Sequence, residues 1–154
     1  MKHRISLTIN GKKSTHEVEP RLLLIQFLRD NLNLTGPHCA CETSLCGACT
    51  VAVDGLAVKS CAMFAVQLDG REVVTIEGIS TNGKLHPVQE AFVEFGALQC
   101  GYCTSGFILT TKALLDEIPH PSEQQIRDYL AGNFCRCGCY QEIIQAVKNV
   151  RSEA

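Results

Sequence analysis

The 154-residue sequence has no apolar run approaching the roughly 18 residues of a membrane-spanning helix, and no signal-peptide core. Its first residues, Met1 to Asn10, alternate like a strand, so the expectation is a chain without an export signal that works in the cytoplasm. Clustered positive charge is missing as well. The 14 basic residues are scattered among 16 acidic ones, for a net charge of −2, and this excludes the electrostatic footprint of a nucleic-acid binder. There is no G-x-G-x-x-G or Walker-type loop, so any nucleotide or flavin must be held by other chains. Ser44, Ser60 and Ser105 adjoin cysteines without a base, which removes nucleophilic hydrolysis. His3, His16, His38, His86 and His120 share no spacing and read as surface or capping residues. Low-complexity tracts and internal repeats are absent, and 45% hydrophobic with 19% charged residues is ordinary for a globular fold.

What the sequence has in excess is cysteine. There are ten, at positions 39, 41, 46, 49, 61, 100, 103, 135, 137 and 139. Disulfide scaffolds belong mainly to short secreted chains, so clustered thiols in a reducing compartment point to metal instead.

The pattern along the chain changes between the two cysteine groups. Ile5, Leu7 and Ile9 alternate before Asn10-Gly11, a dipeptide suited to a tight hairpin, with Lys13 to Val18 as the returning strand. Val51 and Val53 before Asp54-Gly55, then Ala57 to Lys59, read as a second hairpin, and Glu72 to Ile76 as a further strand. Arg21 to Leu32, after Pro20, is helical in length and stops near Thr35-Gly36-Pro37. From Leu85 onward the period becomes helical. Val88, Ala91, Phe92 and Phe95 share one face; Phe107, Ile108, Leu114 and Leu115 mark a second helix. Ile126, Tyr129 and Leu130 follow a capping box from Ser122 to Gln125, and Tyr140, Ile143, Ile144, Val147 and Val150 define the last helix, running to about Arg151. The expected fold is therefore α+β: a small sheet crossed by one helix over residues 1–79, a join at Gly78 to Lys84, and a four-helix unit over 80–154.

Cys41, Cys46 and Cys49 stand as C-x4-C-x2-C, with Cys61 beyond them, which is the plant-type ferredoxin spacing for a 2Fe-2S cluster. Small residues at Gly47 and Ala48 let the loop wrap closely enough for backbone N–H groups to face the sulfurs. Zinc sites more often combine two short pairs. The second set does contain two such pairs, Cys100-x2-Cys103 and Cys135-x-Cys137, so zinc stays open there on spacing alone. Each pair precedes a helix, however, and helix N-termini carry partial positive charge and unpaired N–H donors suited to an anionic cluster.

With these motifs in place, the chain resembles the iron–sulfur small subunit of molybdenum hydroxylases of the xanthine oxidase family. The resemblance rests on Cys41 to Val51, Val58-Lys-Ser-Cys61, Leu85-His-Pro-Val-Gln89, Gln99-Cys-Gly-Tyr-Cys103-Thr-Ser-Gly106 and Asn133-Phe-Cys-Arg-Cys137. Val18-Glu-Pro-Arg21, Phe27-Leu-Arg-Asp30, Leu34-Thr-Gly36 and Ala65-Val-Gln67 make it most similar to the carbon monoxide dehydrogenase small chain. It implies two 2Fe-2S clusters: one in a ferredoxin-like, β-grasp domain on Cys41, Cys46, Cys49 and Cys61, the other in a four-helix domain on Cys100, Cys103, Cys135 and Cys137. It also implies a large molybdopterin-binding partner and a medium FAD-binding partner or other acceptor. Gln99 and Cys137 match the positions that meet the pterin across the interface. No residue of this chain is expected to be catalytic; its part in the oxidoreductase is electron transfer. A free-standing ferredoxin-type carrier and a zinc-stabilised module are the rival classes.

Three positions depart from the family pattern. Ala40 stands where glycine is usual, Cys39 replaces an aliphatic residue, and Gly138-Cys139 precede Tyr140 where Thr-Gly is usual. Cys39 and Cys139 are thus surplus thiols, and the C-x-C-x-C run leaves Cys139 open as an alternative ligand.

Overall fold

Asn10 and Gly11 both take left-handed backbone angles, φ 49° and 76°, and so turn strand β1 (His3–Ile9) tightly into β2 (Lys12–Val18). Asp54 and Gly55 do the same at φ 48° and 83° between β3 (Thr50–Val53) and β4 (Leu56–Lys59). In the computed structural model, which describes residues 1–150, these hairpins and β5 (Glu72–Val74) form one mixed sheet in the order β2-β1-β5-β3-β4. β5 runs parallel to β1, pairing Thr8 with Glu72, and antiparallel to β3, pairing Val53 with Val73. The inward residues Ile5, Leu7, Ile9, Val51, Val53 and Val73 pack on Leu24, Phe27, Leu28 and Leu68, which is how the sheet buries one face against the crossing helix.

That helix departs from the expected span of Arg21 to Leu32. α1 covers only Leu24–Gln26 and widens into a π-helical stretch, Phe27–Asn31. It starts late because the chain is still extended at Leu23, which bridges Phe64 while Leu24 N donates to the Met63 carbonyl and Ala65 N to that of Leu22. Strand β5 is likewise shorter than expected, since Ile76–Gly78 turns into a 3₁₀ segment after Thr75.

The second half is helical: α2 (Pro87–Glu94), α3 (Thr104–Glu117), α4 (Glu123–Leu130) and α5 (Tyr140–Lys148). Phe92, Phe107, Leu109, Leu114, Ile126, Ile143 and Val147 form its core. α2 and α4 begin with capping boxes, His86 with Gln89 and Ser122 with Gln125, as the Ser122 to Gln125 motif predicts. The expected end of the last helix at Arg151 lies outside the described residues; α5 closes at Lys148.

The two halves meet along α3 and the cysteine loop before β3. A Cβ added at Gly106, on α3, would overlap the carbonyl oxygen of Gly47. Only glycine allows so close an approach of helix to loop.

Candidate metal centres

The loop from Cys41 to Cys49 holds three residues in left-handed conformations within a few positions: Glu42, Ser44 and Gly47, at φ 55°, 63° and 72°. Two of these carry side chains, which normally avoid that region, so the loop's shape is imposed by its surroundings. The result is a set of inward-turned amides. The N–H groups of Thr43 and Cys46 both donate to the Cys41 sulfur at 3.4 Å. Hydrogen bonding from Thr43 and then from the Cys46 amide brings the Cys41 thiol down to about 6. Cys49 and Cys61 are buried together against Ile25, and burial pushes the Cys49 thiol up to about 11. The Ser44 hydroxyl lies 4.0 Å from the Cys61 sulfur. Cys41 thus lies on the Cys46 amide and Cys49 beside Cys61, and Ser44, within the Cys41 to Cys46 loop, reaches the Cys61 sulfur.

Cys39 belongs to the same neighbourhood. It packs against the Ile25, Cys49 and Cys61 group, but its thiol reaches toward the Glu42 carboxylate at 3.6 Å.

The second set converges where α3 and α5 begin. Cys103 is the N-cap of α3 and Cys139 that of α5, and neither helix start has a side-chain cap. This contrasts with α2 and α4, whose first turns are closed by His86 and Ser122. Both helix starts thus leave first-turn amides without a side-chain acceptor, at ends where an anionic group gains most from them. Across the junction Cys100 influences the ionisation of Cys137, and Cys103 that of Cys135. Burial raises the Cys103 thiol to about 12, reinforced by its bond to Cys135. Burial acts on Cys135 in the same sense but is outweighed by hydrogen bonds from Cys139, Cys103 and Gly138, which bring it to about 7. Cys139 is buried with its sulfur 3.2 Å from that of Cys135.

The donors are thiols throughout, the ligands that 2Fe-2S clusters take. A 2Fe-2S cluster takes two thiolates on each iron, four in all, and each half of the chain supplies at least four cysteines. When metal binds, the thiols that burial holds high must release their protons.

The sites are also in contact with each other, which the sequence did not reveal. The amide of Phe134 donates to the Cys46 carbonyl at 2.9 Å, and the Asn133 side chain to the Gly47 carbonyl at 3.3 Å. The Tyr102 hydroxyl bonds the Cys39 carbonyl at 2.8 Å, while its ring stacks on His38 at 4.4 Å. Ser105 donates to the Gly36 carbonyl at 2.8 Å. His38 is thus a packing partner of the second site's loop and not merely a surface residue, and Ser105 joins the halves. His86 caps α2, as expected of the histidines. Gln99 is exposed, with no hydrogen-bond partner among the described residues.

Fold and thiol geometry together define an iron–sulfur protein with two 2Fe-2S-binding domains, one on a sheet and one on helix ends. Sequence comparison gives the same division: a 2Fe-2S iron-sulfur cluster binding domain matches residues 7–74 and a [2Fe-2S] binding domain residues 75–148. A nicotinate dehydrogenase subunit of Pseudomonas putida is 46% identical over 148 residues, covering 96% of this chain and 94% of the relative. The solved structure of quinoline 2-oxidoreductase from Pseudomonas putida superposes with TM-score 0.93 at 43% identity, over 96% of this chain and 91% of the other. Aldehyde oxidoreductase from Desulfovibrio gigas superposes with TM-score 0.92 at 38% identity over 96% of this chain, which spans 17% of that longer one. The chain belongs to the iron–sulfur small subunits of molybdenum hydroxylases of the xanthine oxidase family, the electron-transfer members of these oxidoreductases.

Proposed function

We propose that Cys41, Cys46, Cys49 and Cys61, within residues 1–79, hold the first 2Fe-2S cluster, and that Cys100, Cys103, Cys135 and Cys137, within 80–154, hold the second. Each cluster, when bound, takes up and gives back single electrons, so the chain links the molybdopterin site of a large subunit to a medium FAD-binding subunit or another acceptor. The carrying observation is the direct joining of the two thiol sets through Phe134 and Cys46. Phe134 is bonded to Cys135 by the next peptide, so one hydrogen bond separates the backbone of one ligand set from that of the other. A free-standing carrier would need neither the second set nor this join.

The exposed edge of the second site suits a partner. Cys100 and Gln99 are exposed, with Leu98 and Tyr102 beside them. Gln99, exposed and without a hydrogen-bond partner among the described residues, is able to present its amide across an interface, and Cys137 lies at the same edge. Together they are the proposed pterin contact. Among the described residues no helix is long and apolar enough to cross a membrane, and ten unpaired thiols suit the reducing cytoplasm.

Relatives named for nicotinate, quinoline and aldehydes frame the substrate classes to try. In the native complex, adding such compounds anaerobically should develop two EPR signals of reduced clusters with the active one. Gln99→Ala should slow that reduction while leaving iron content intact, because the shortened side chain loosens the interface without touching a ligand. Unchanged reduction and turnover would leave Gln99 without a part in the contact.

A further inference from the structure

Cys139 is the thiol of the second set that the proposed ligand assignment leaves over. The ligands proposed above are Cys100, Cys103, Cys135 and Cys137, yet the Cys139 sulfur sits 3.2 Å from that of Cys135. The contact is built by the local chain. Gly138, at φ 83°, reverses direction after Cys137, and its amide bonds back to the Cys135 carbonyl at 3.3 Å. α5 therefore starts with its N-cap side chain lying over Cys135. Both residues are shut off from water, at 2% and 3% exposure.

We propose that Cys139 donates a hydrogen bond to the Cys135 sulfur and thereby raises the reduction potential of the second cluster. The inference rests on the reading that Cys135 is a ligand of that cluster. A thiol is a weak donor to a neutral acceptor, but a ligand thiolate is charged and the site is dry, and both strengthen the bond. One-electron reduction adds negative charge that is shared with the ligand sulfurs. A donor held against one of them stabilises the reduced form more than the oxidised form, and hydrogen bonds to sulfur are among the factors that set such potentials. With glycine in this place the side-chain donor would be missing. Cys139 is thus a positioning and tuning residue: it makes the second cluster a readier acceptor for electrons arriving from the partner.

The test is an EPR-monitored redox titration of the native complex carrying Cys139→Ala or Cys139→Ser, with iron and sulfide measured on the same samples. Iron should stay at about four per chain in both. In Cys139→Ala the second cluster's midpoint should fall by an amount equal to about a tenfold change in its one-electron equilibrium, or about 59 mV. The first cluster's midpoint should stay put. Cys139→Ser keeps a hydroxyl donor and should restore most of the difference. An unmoved midpoint in the alanine variant would overturn the inference, as would equal falls in both variants, which would make the effect one of packing. Loss of the second cluster's iron in Cys139→Ala would overturn it too, by making Cys139 a ligand. A second cluster missing from the unaltered complex would overturn the ligand assignment beneath the inference, so the two failures are distinguishable.

Discussion

Gly106→Ala should destabilise the protein by about 3 kcal/mol or more, the upper range for forcing extra volume into a packed site. At this chain length that is a fall of roughly 6–12 °C in the unfolding midpoint. Helix propensity alone forecasts the opposite, since alanine is favoured over glycine in a helix interior by up to about 1 kcal/mol. The contact decides the sign. The new methyl would overlap the Gly47 oxygen and lie 3.3 Å from the Ala48 Cα, both of them backbone. No side chain can turn aside to make room, so α3 must lift from the loop. Lifting it also weakens the Ser105 bond to Gly36 and the Asn133 bond to Gly47. Thermal unfolding followed by circular dichroism, with EPR of the first cluster before and after, checks both consequences. An unchanged or higher midpoint would show that the halves do not rest on each other here.

Cys49→Ser should remove the first cluster and leave the second. Cys49 is buried against Cys61, and its carbonyl accepts from the Ser60 hydroxyl at 2.7 Å, so its position is fixed independently of the helical half. Serine keeps the shape but is a harder, poorer ligand for iron–sulfur chemistry. Iron content should drop from about four to about two per chain. One of the two EPR signals should remain and should still be reduced by substrate, while turnover with the physiological acceptor is lost. Disappearance of both signals from a folded protein would mean that the sites do not assemble separately.

Much of this was legible in the sequence because it is local. Asn10-Gly11 and Asp54-Gly55 announce hairpins by the conformations they tolerate, and Ser122 to Gln125 announces a helix start by the bonds its side chains make. The grouping of thiols is equally local: C-x4-C-x2-C is a property of one loop. What stayed hidden depends on distant pairs. The late start of α1 reflects bonds that tie Leu22 and Leu24 to Ala65 and Met63, which no pattern near residue 22 encodes. Gly106 looks like a residue that merely weakens a helix until Gly47 is found against it. His38 carries no signal of its stacking on Tyr102, and Phe134 reaches Cys46 through its amide, which is independent of side-chain identity. Cys139 was visible as a departure from the family's residue types, but its closeness to Cys135 follows from the reversal at Gly138.

The central claim is that two sets of cysteine thiols hold two binuclear iron–sulfur clusters. Quantifying iron, acid-labile sulfide and zinc in the protein purified anaerobically with its partners tests it most directly. About four iron and four sulfide per chain, with no stoichiometric zinc, is the expected result. Zinc at one or two equivalents with sulfide absent, in a colourless protein, would contradict it.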